Sequence, residues 1–127
     1  MREILFRGKR LDNGEWVEGW YQPETTIKHW NGIQETVGVT VAYKVEDGFL
    51  EDTLVDPSTI GQYTGLKDKN GKRIFEGDIL SIWNESHDVV VFEDGAFYLE
   101  NTSIPMRFAN KFEVIGNITD NPELLEK

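Results

Sequence analysis

The sequence predicts a mainly β fold. An N-terminal β-hairpin region over residues 1–56 packs on a small C-terminal β-barrel over residues 57–127, and a short helix ends the chain. Three observations carry this. Short runs of β-branched and aromatic residues recur at roughly even spacing, with glycine turns between them. Asn31-Gly32 is a strong hairpin signal, and Asp47-Gly48 marks a further turn. No stretch shows long helical periodicity, and no internal repeat or low-complexity tract is present.

The elements follow in order. Residues 4–21 read as a hairpin: Ile4 and Phe6 share a face at period two, Asp12-Asn13-Gly14 turns the chain, and Trp16 to Tyr21 resumes as a strand. Trp16 and Trp20 fall on one face of that strand, and Gly19 between them marks a bulge or a close backbone contact. Residues 25–30 form a strand that turns at Asn31-Gly32 and returns from Ile33 to about Tyr43. Phe49-Leu50 and Thr53-Leu54-Val55 are the last apolar segment of the first half. Asp56 is expected to cap a short helical turn with Pro57 at its first position, which sets the boundary between halves. The second half supplies strands near residues 78–83, 88–92, 96–99 and 111–118, with a turn at Glu93-Asp94-Gly95. Residues 101–105 are irregular, since Pro105 does not suit a central strand. At the end, Asn121 or Thr119 caps a short helix that starts at Pro122.

Composition narrows the function classes. The chain has 127 residues and no cysteine, which excludes disulfides, thiolate metal sites and cysteine nucleophiles. Thirteen basic and 23 acidic residues give a net charge of −10, shared evenly between the halves. Such a chain repels phosphate, so nucleic acid is disfavoured as a partner. Two local basic groups stand out: Arg2, Arg7, Lys9 and Arg10, and then Lys67, Lys69, Lys72 and Arg73. Both read first as solvated loops. No run approaches the ~20 apolar residues of a membrane span, and no signal-peptide core is present, so a cytoplasmic protein is expected.

Residues 62–80 join the halves. They pass from Gln62-Tyr63-Thr64-Gly65-Leu66 through the polar turn Lys69-Asn70-Gly71-Lys72 and the tight turn Glu76-Gly77-Asp78 into the strand from Ile79. With Met1-Arg2-Glu3-Ile4-Leu5-Phe6-Arg7-Gly8-Lys9 at the start, the block from Val55 to Ile79 in the centre, and Phe112-Glu113-Val114-Ile115-Gly116-Asn117-Ile118 with Asn121-Pro122-Glu123-Leu124-Leu125 at the end, the chain resembles the YopX-like proteins, a family found in phages and bacterial prophages. The resemblance implies a C-terminal part like an SH3-type barrel and action in the host cytoplasm. It implies no catalytic residues. Residues 20–54 show no such match.

The candidate sites are few. Tyr63-Thr64-Gly65-Leu66 reads as core first and as a recognition surface second. Glu76-Gly77-Asp78 reads as a turn before it reads as a cation site, since it lacks regularly spaced further oxygen ligands. His29 and His87 are the only histidines, and neither has a partner at metal-ligand spacing. No nucleophile elbow or phosphate loop appears, so neither catalysis nor a cofactor or metal is expected. Trp16, Trp20, Trp30, Tyr63 and Trp83 are the candidate interaction surface, with core as the competing role for each. Spare strand edges in the first half point to a homo-oligomer. The favoured reading is a non-enzymatic module that binds another protein. The alternatives are a nucleic-acid-binding barrel using residues 67–73 with Arg107, and a small hydrolase built around a histidine.

Overall fold

The computed structural model describes residues 4–28, 30–32, 34–44 and 50–125. The expected Asp47-Gly48 turn, Phe49, Ile33 and His29 lie outside these. Along the described chain run strands β1 (Phe6–Arg10), β2 (Trp16–Lys28), β3 (Gln34–Lys44), β4 (Leu50–Lys67), β5 (Arg73–Phe75), β6 (Asp78–Ile82), β7 (Ser86–Glu93), β8 (Ala96–Leu99) and β9 (Glu113–Asn117), with 3₁₀ turns at Met106–Lys111 and Pro122–Leu125. They form two antiparallel sheets, in the orders β1-β2-β3-β4-β5 and β8-β7-β6-β9. The mainly β expectation holds. The chain divides into two compact units, one running from Ile4 to Gly61 and the other starting at Gln62.

The first unit begins with the expected hairpin. Gly14 N–H donates to the Arg10 carbonyl, Arg10 N–H donates to the Glu15 carbonyl, and Lys9 stands opposite Trp16. After Gly19, which faces Phe6, β2 changes partner and pairs with β3 from Trp20 opposite Ala42. Gly19 permits the change because the Ala42 carbonyl lies where a Cβ would stand. This is the close backbone contact read from the sequence. β2 and β3 continue as a long hairpin around Asn31-Gly32, with Lys28 opposite Gln34. β4 then pairs with β3 over residues 50–54 and also with β1, so the strand order returns to its start. The inner face holds Val41, Ala42 and Val55, and Gly8 lies against Val55 and Ile60.

The helical turn expected at Asp56 is absent, because β4 runs on through this region. Asp56 does make the local bonds of a cap: its Oδ1 accepts from Ser58 N–H at 3.0 Å and from Ser58 Oγ at 2.8 Å. Thr59 Oγ1 donates to the Asp56 carbonyl and accepts the Lys9 N–H at 2.8 Å, which holds the segment against β1. That cross-strand bond competes successfully with the helical start.

In the second unit the end of β4 pairs with β5, Tyr63 opposite Phe75 and Lys67 opposite Arg73. β6 is central in its sheet: Leu80 faces Asp88 on β7 and Val114 on β9. The core gathers Ile74, Leu80, Ile82, Val90, Leu99, Ala109, Phe112 and Val114. Glu76-Gly77-Asp78 is a turn, as expected. Gly77 has φ 91°, which only glycine adopts without cost; its N–H donates to Val90 and its carbonyl accepts from Ile118. The terminal helix is a 3₁₀ turn of four residues beginning at Pro122, and the Asn121 side chain points back to accept the Asn117 N–H. The 3₁₀ turn after Pro105 was not expected from the sequence, since six residues are too few to show a helical period.

Three buried carboxylates join the turns of this unit. Asp68 Oδ1 accepts the N–H groups of Asn70 and Lys72, and its Oδ2 accepts the Val114 N–H, each at 2.9 Å. Asp78 Oδ2 accepts the Phe75 N–H at 2.8 Å. Asp88 Oδ1 accepts from Val89 N–H at 2.8 Å, and the Asp88 carboxylate receives both the backbone and side-chain N–H of Asn101. A buried charge is costly unless hydrogen-bonded, and here backbone amides do the bonding. Burial alone would push the Asp68 carboxyl up. The Val114, Lys72 and Asn70 amides, with the Lys72 charge, outweigh it and hold the carboxyl below its usual range.

Two outcomes follow. Gly19→Ala forces a Cβ into the Ala42 carbonyl and is expected to cost about 3 kcal/mol in urea unfolding; a variant as stable as the parent would show that β2 does not turn there. Asp68→Asn places an amide donor or a neutral oxygen where a charged acceptor stood, and should cost about 2 kcal/mol at pH 7. Because the folded Asp68 carboxyl is held down, its stabilisation is complete above the unfolded value of ~3.9 and is lost as pH falls through the folded value. The gap between parent and variant should therefore shrink on acidification below about pH 5. A gap that stays constant down to acid unfolding would contradict the account.

Candidate functional site

The five candidate aromatics occupy different environments. Trp30, at the β2–β3 turn, is 97 % exposed. Trp20 on β2 is 45 % exposed. Trp16 is half-buried, with the Arg7 guanidinium 4.7 Å and the Lys9 ammonium 5.9 Å from its ring centre. The pairing explains this stack: Arg7 faces Glu18 and Lys9 faces Trp16, on the sheet face opposite Gly8 and Val17. Tyr63 is 5 % exposed and packs on Phe75 with ring centres 5.5 Å apart. It belongs to the core, the competing role it was given, and does not form an accessible surface.

Trp83 is 58 % exposed and sits in the turn between β6 and β7. Glu85 N–H donates to the Ile82 carbonyl across it, and Trp83 and Asn84 have φ 49° and 60°. Asn suits that conformation and a bulky aromatic does not, so Trp83 is held against its backbone preference. It stands edge-on to Phe112, ring centres 5.1 Å apart. Phe112 in turn follows a 3₁₀ turn whose Arg107 and Lys111 approach the Phe108 ring to 4.9 Å and 5.6 Å. Lys69 joins them, since its N–H donates to the Phe112 carbonyl at 2.9 Å and its ammonium lies 3.8 Å from Glu113. Sequence reading found Trp83 and the lysines of residues 67–73. It missed the part played by Lys111 and Phe108, because long-range bonds, Lys69 to Phe112 and Val114 to Asp68, bring the two segments together.

Other polar groups have defined partners. In the first unit Arg10 donates to both Asp12 oxygens, at 2.9 Å and 2.7 Å, and to Tyr43 Oη at 3.2 Å, while Tyr43 Oη donates to Glu51. The Arg10 bonds lower the Asp12 carboxyl. These residues, with Leu11, Asp52, Thr53 and Leu54, line an open cleft. In the second unit Tyr98 Oη donates to Glu93 at 2.7 Å, and that bond pushes the phenol up to about 12. Burial raises the Glu76 carboxyl. His87 Nδ1 lies 2.9 Å from the Leu124 carbonyl, which fixes that nitrogen as the donor. Among the described residues no cluster of His, Asp and Glu has the makings of a metal site, and no helix is long and apolar enough to cross a membrane.

Comparison with known proteins bears on the whole chain. The family described as YopX protein matches residues 5–126. The crystal structure of protein EF1440 from Enterococcus faecalis is similar, with 27 % sequence identity and a TM-score of 0.57, over 99 % of this chain and 100 % of that one. No curated protein matches. With a family match from the first strand to the last turn, the chain belongs to the YopX family.

Proposed function

We propose that this YopX-family protein is a non-enzymatic module that binds another protein, serving a phage or prophage in the bacterial cytoplasm. The observation that carries the reading is Trp30: a tryptophan 97 % exposed at the tip of a long β-hairpin. Such a side chain has no folding role at that site, and large exposed aromatics are the usual anchors of protein interfaces. Trp20 adds further exposed aromatic surface on the same strand pair. We read the second unit as an SH3-type barrel, and the Lys69 and Val114 hydrogen bonds, which fasten the β4–β5 hairpin to the β9 side, support it.

A photo-crosslinking residue placed at position 30, in cells carrying the prophage, tests this. A discrete crosslinked protein is expected, absent when the same residue replaces Asn13 at the exposed β1–β2 turn. Trp30→Ala should unfold within about 0.5 kcal/mol of the parent while failing to co-purify the crosslinked protein. Equal labelling from both positions would defeat the proposal.

A further inference from the structure

Asn-Gly steps occur three times in the chain, at Asn13-Gly14, Asn31-Gly32 and Asn70-Gly71, each in a turn. Such a step is chemically labile. The backbone nitrogen that follows the asparagine attacks its side-chain amide, and glycine has no side chain to block the approach. The attack needs the turn to rearrange so that a ring can close. The fold therefore decides which of the three steps reacts.

Two of the turns are tied to the rest of their unit. At Asn13-Gly14 the Gly14 N–H donates to the Arg10 carbonyl at 3.0 Å, and Asn13 Oδ1 accepts the Glu15 N–H at 2.9 Å. The Leu11 N–H, donating to the Leu54 carbonyl at 3.0 Å, fastens that turn to β4. At Asn70-Gly71 the Gly71 N–H donates to the Asp68 carbonyl at 3.0 Å, and the buried Asp68 carboxylate accepts the Asn70, Lys72 and Val114 amides. Asn31-Gly32 is placed differently. It closes the β2–β3 hairpin, and among the described pairings the outer part of that hairpin is a two-stranded ribbon. The pairing of β1 with β2 ends at Gly19, and that of β4 with β3 ends at Thr40. The register breaks between Gln22 and Thr25 and again between Thr25 and Thr26, which sets the tip apart from the flanked part. A two-stranded ribbon is marginal by itself, so its end opens at little cost. Asn31 and Gly32 are both exposed there.

We propose that Asn31 is a site of spontaneous deamidation, selected among the three by its place at the end of this ribbon. The Gly32 nitrogen forms a bond to Asn31 Cγ, the Cγ–Nδ2 bond breaks, and Nδ2 leaves as ammonia with the proton that the Gly32 N–H gives up. Water then opens the succinimide at either of its carbonyls and leaves aspartate or isoaspartate at position 31. Nothing is oxidised or reduced, and water is the sole co-reactant. Either product adds a negative charge to the net −10, beside the exposed Trp30. Isoaspartate also lengthens the backbone by a methylene at the hairpin tip. The chemistry does not depend on Trp30 binding a partner.

Peptide mapping by mass spectrometry is the test, on the full chain incubated at mildly alkaline pH, folded and in parallel in concentrated urea. In urea the three steps should convert at similar rates. In the folded protein Asn31 should convert within about twofold of its rate in urea, while Asn13 and Asn70 slow at least tenfold. Isoelectric focusing of the intact folded protein should show an acidic species growing with time, and Asn31→Gln should remove it. Folding that slows Asn31 as much as Asn70 overturns the inference, as does an acidic species that grows equally fast in Asn31→Gln.

Discussion

The Asp68 carboxylate is the constraint on which the second unit depends. Its two oxygens hold three backbone amides: two in the turn that follows it and one, at Val114, from a strand far along the chain. The sheet β8-β7-β6-β9 has β9 at its edge, and an edge strand leaves amides in need of partners. Asp68 meets that need at the Val114 amide, and the Lys69 N–H donates to the Phe112 carbonyl just before the strand. Desolvating a carboxylate opposes the arrangement, and three charge-assisted bonds offset it. Asp78 and Asp88 repeat the device at the β5–β6 turn and beyond β8, on the Phe75 and Asn101 amides.

The same bonds decide what the surface can do. The bonds from Lys69 to Phe112 and from Val114 to Asp68 bring the cations of residues 67–73 and 107–111 side by side. Trp83 is kept beside Phe112 in a backbone conformation that costs about 1 kcal/mol or more for a non-glycine residue. Its edge contact with Phe112 offsets part of that. In the first unit the logic differs. Gly19 gives up its side chain so that β2 can leave β1 for β3, and the hairpin thus formed carries Trp30 into solvent.

Much of the fold was legible in the sequence. Period-two patterning and the Asn13-Gly14 and Asn31-Gly32 signals marked the β1–β2 and β2–β3 hairpins of the first unit, and Glu76-Gly77-Asp78 announced its turn. Asp56-Pro57 misled, because the local cap signal was real but a long-range bond from Lys9 to Thr59 kept the chain extended. Asp68 and Asp88 were not legible as buried residues. An aspartate before Lys-Asn-Gly-Lys resembles any solvated turn, and only the amide of Val114 distinguishes it. The aromatics were found by type but not by burial: nothing local tells Tyr63, sealed on Phe75, from Trp83, exposed beside Phe112.

Hydrogen exchange of the amides bound by the buried aspartates measures the central claim most directly. At neutral pH the Lys72 and Val114 amides, bound to Asp68, should exchange only through unfolding of the second unit, with protection equal to that of the Leu80 amide in the central strand. Exchange of Lys72 and Val114 at the rates of an open turn, while Leu80 stays protected, would show that the Asp68 carboxylate does not hold the unit together.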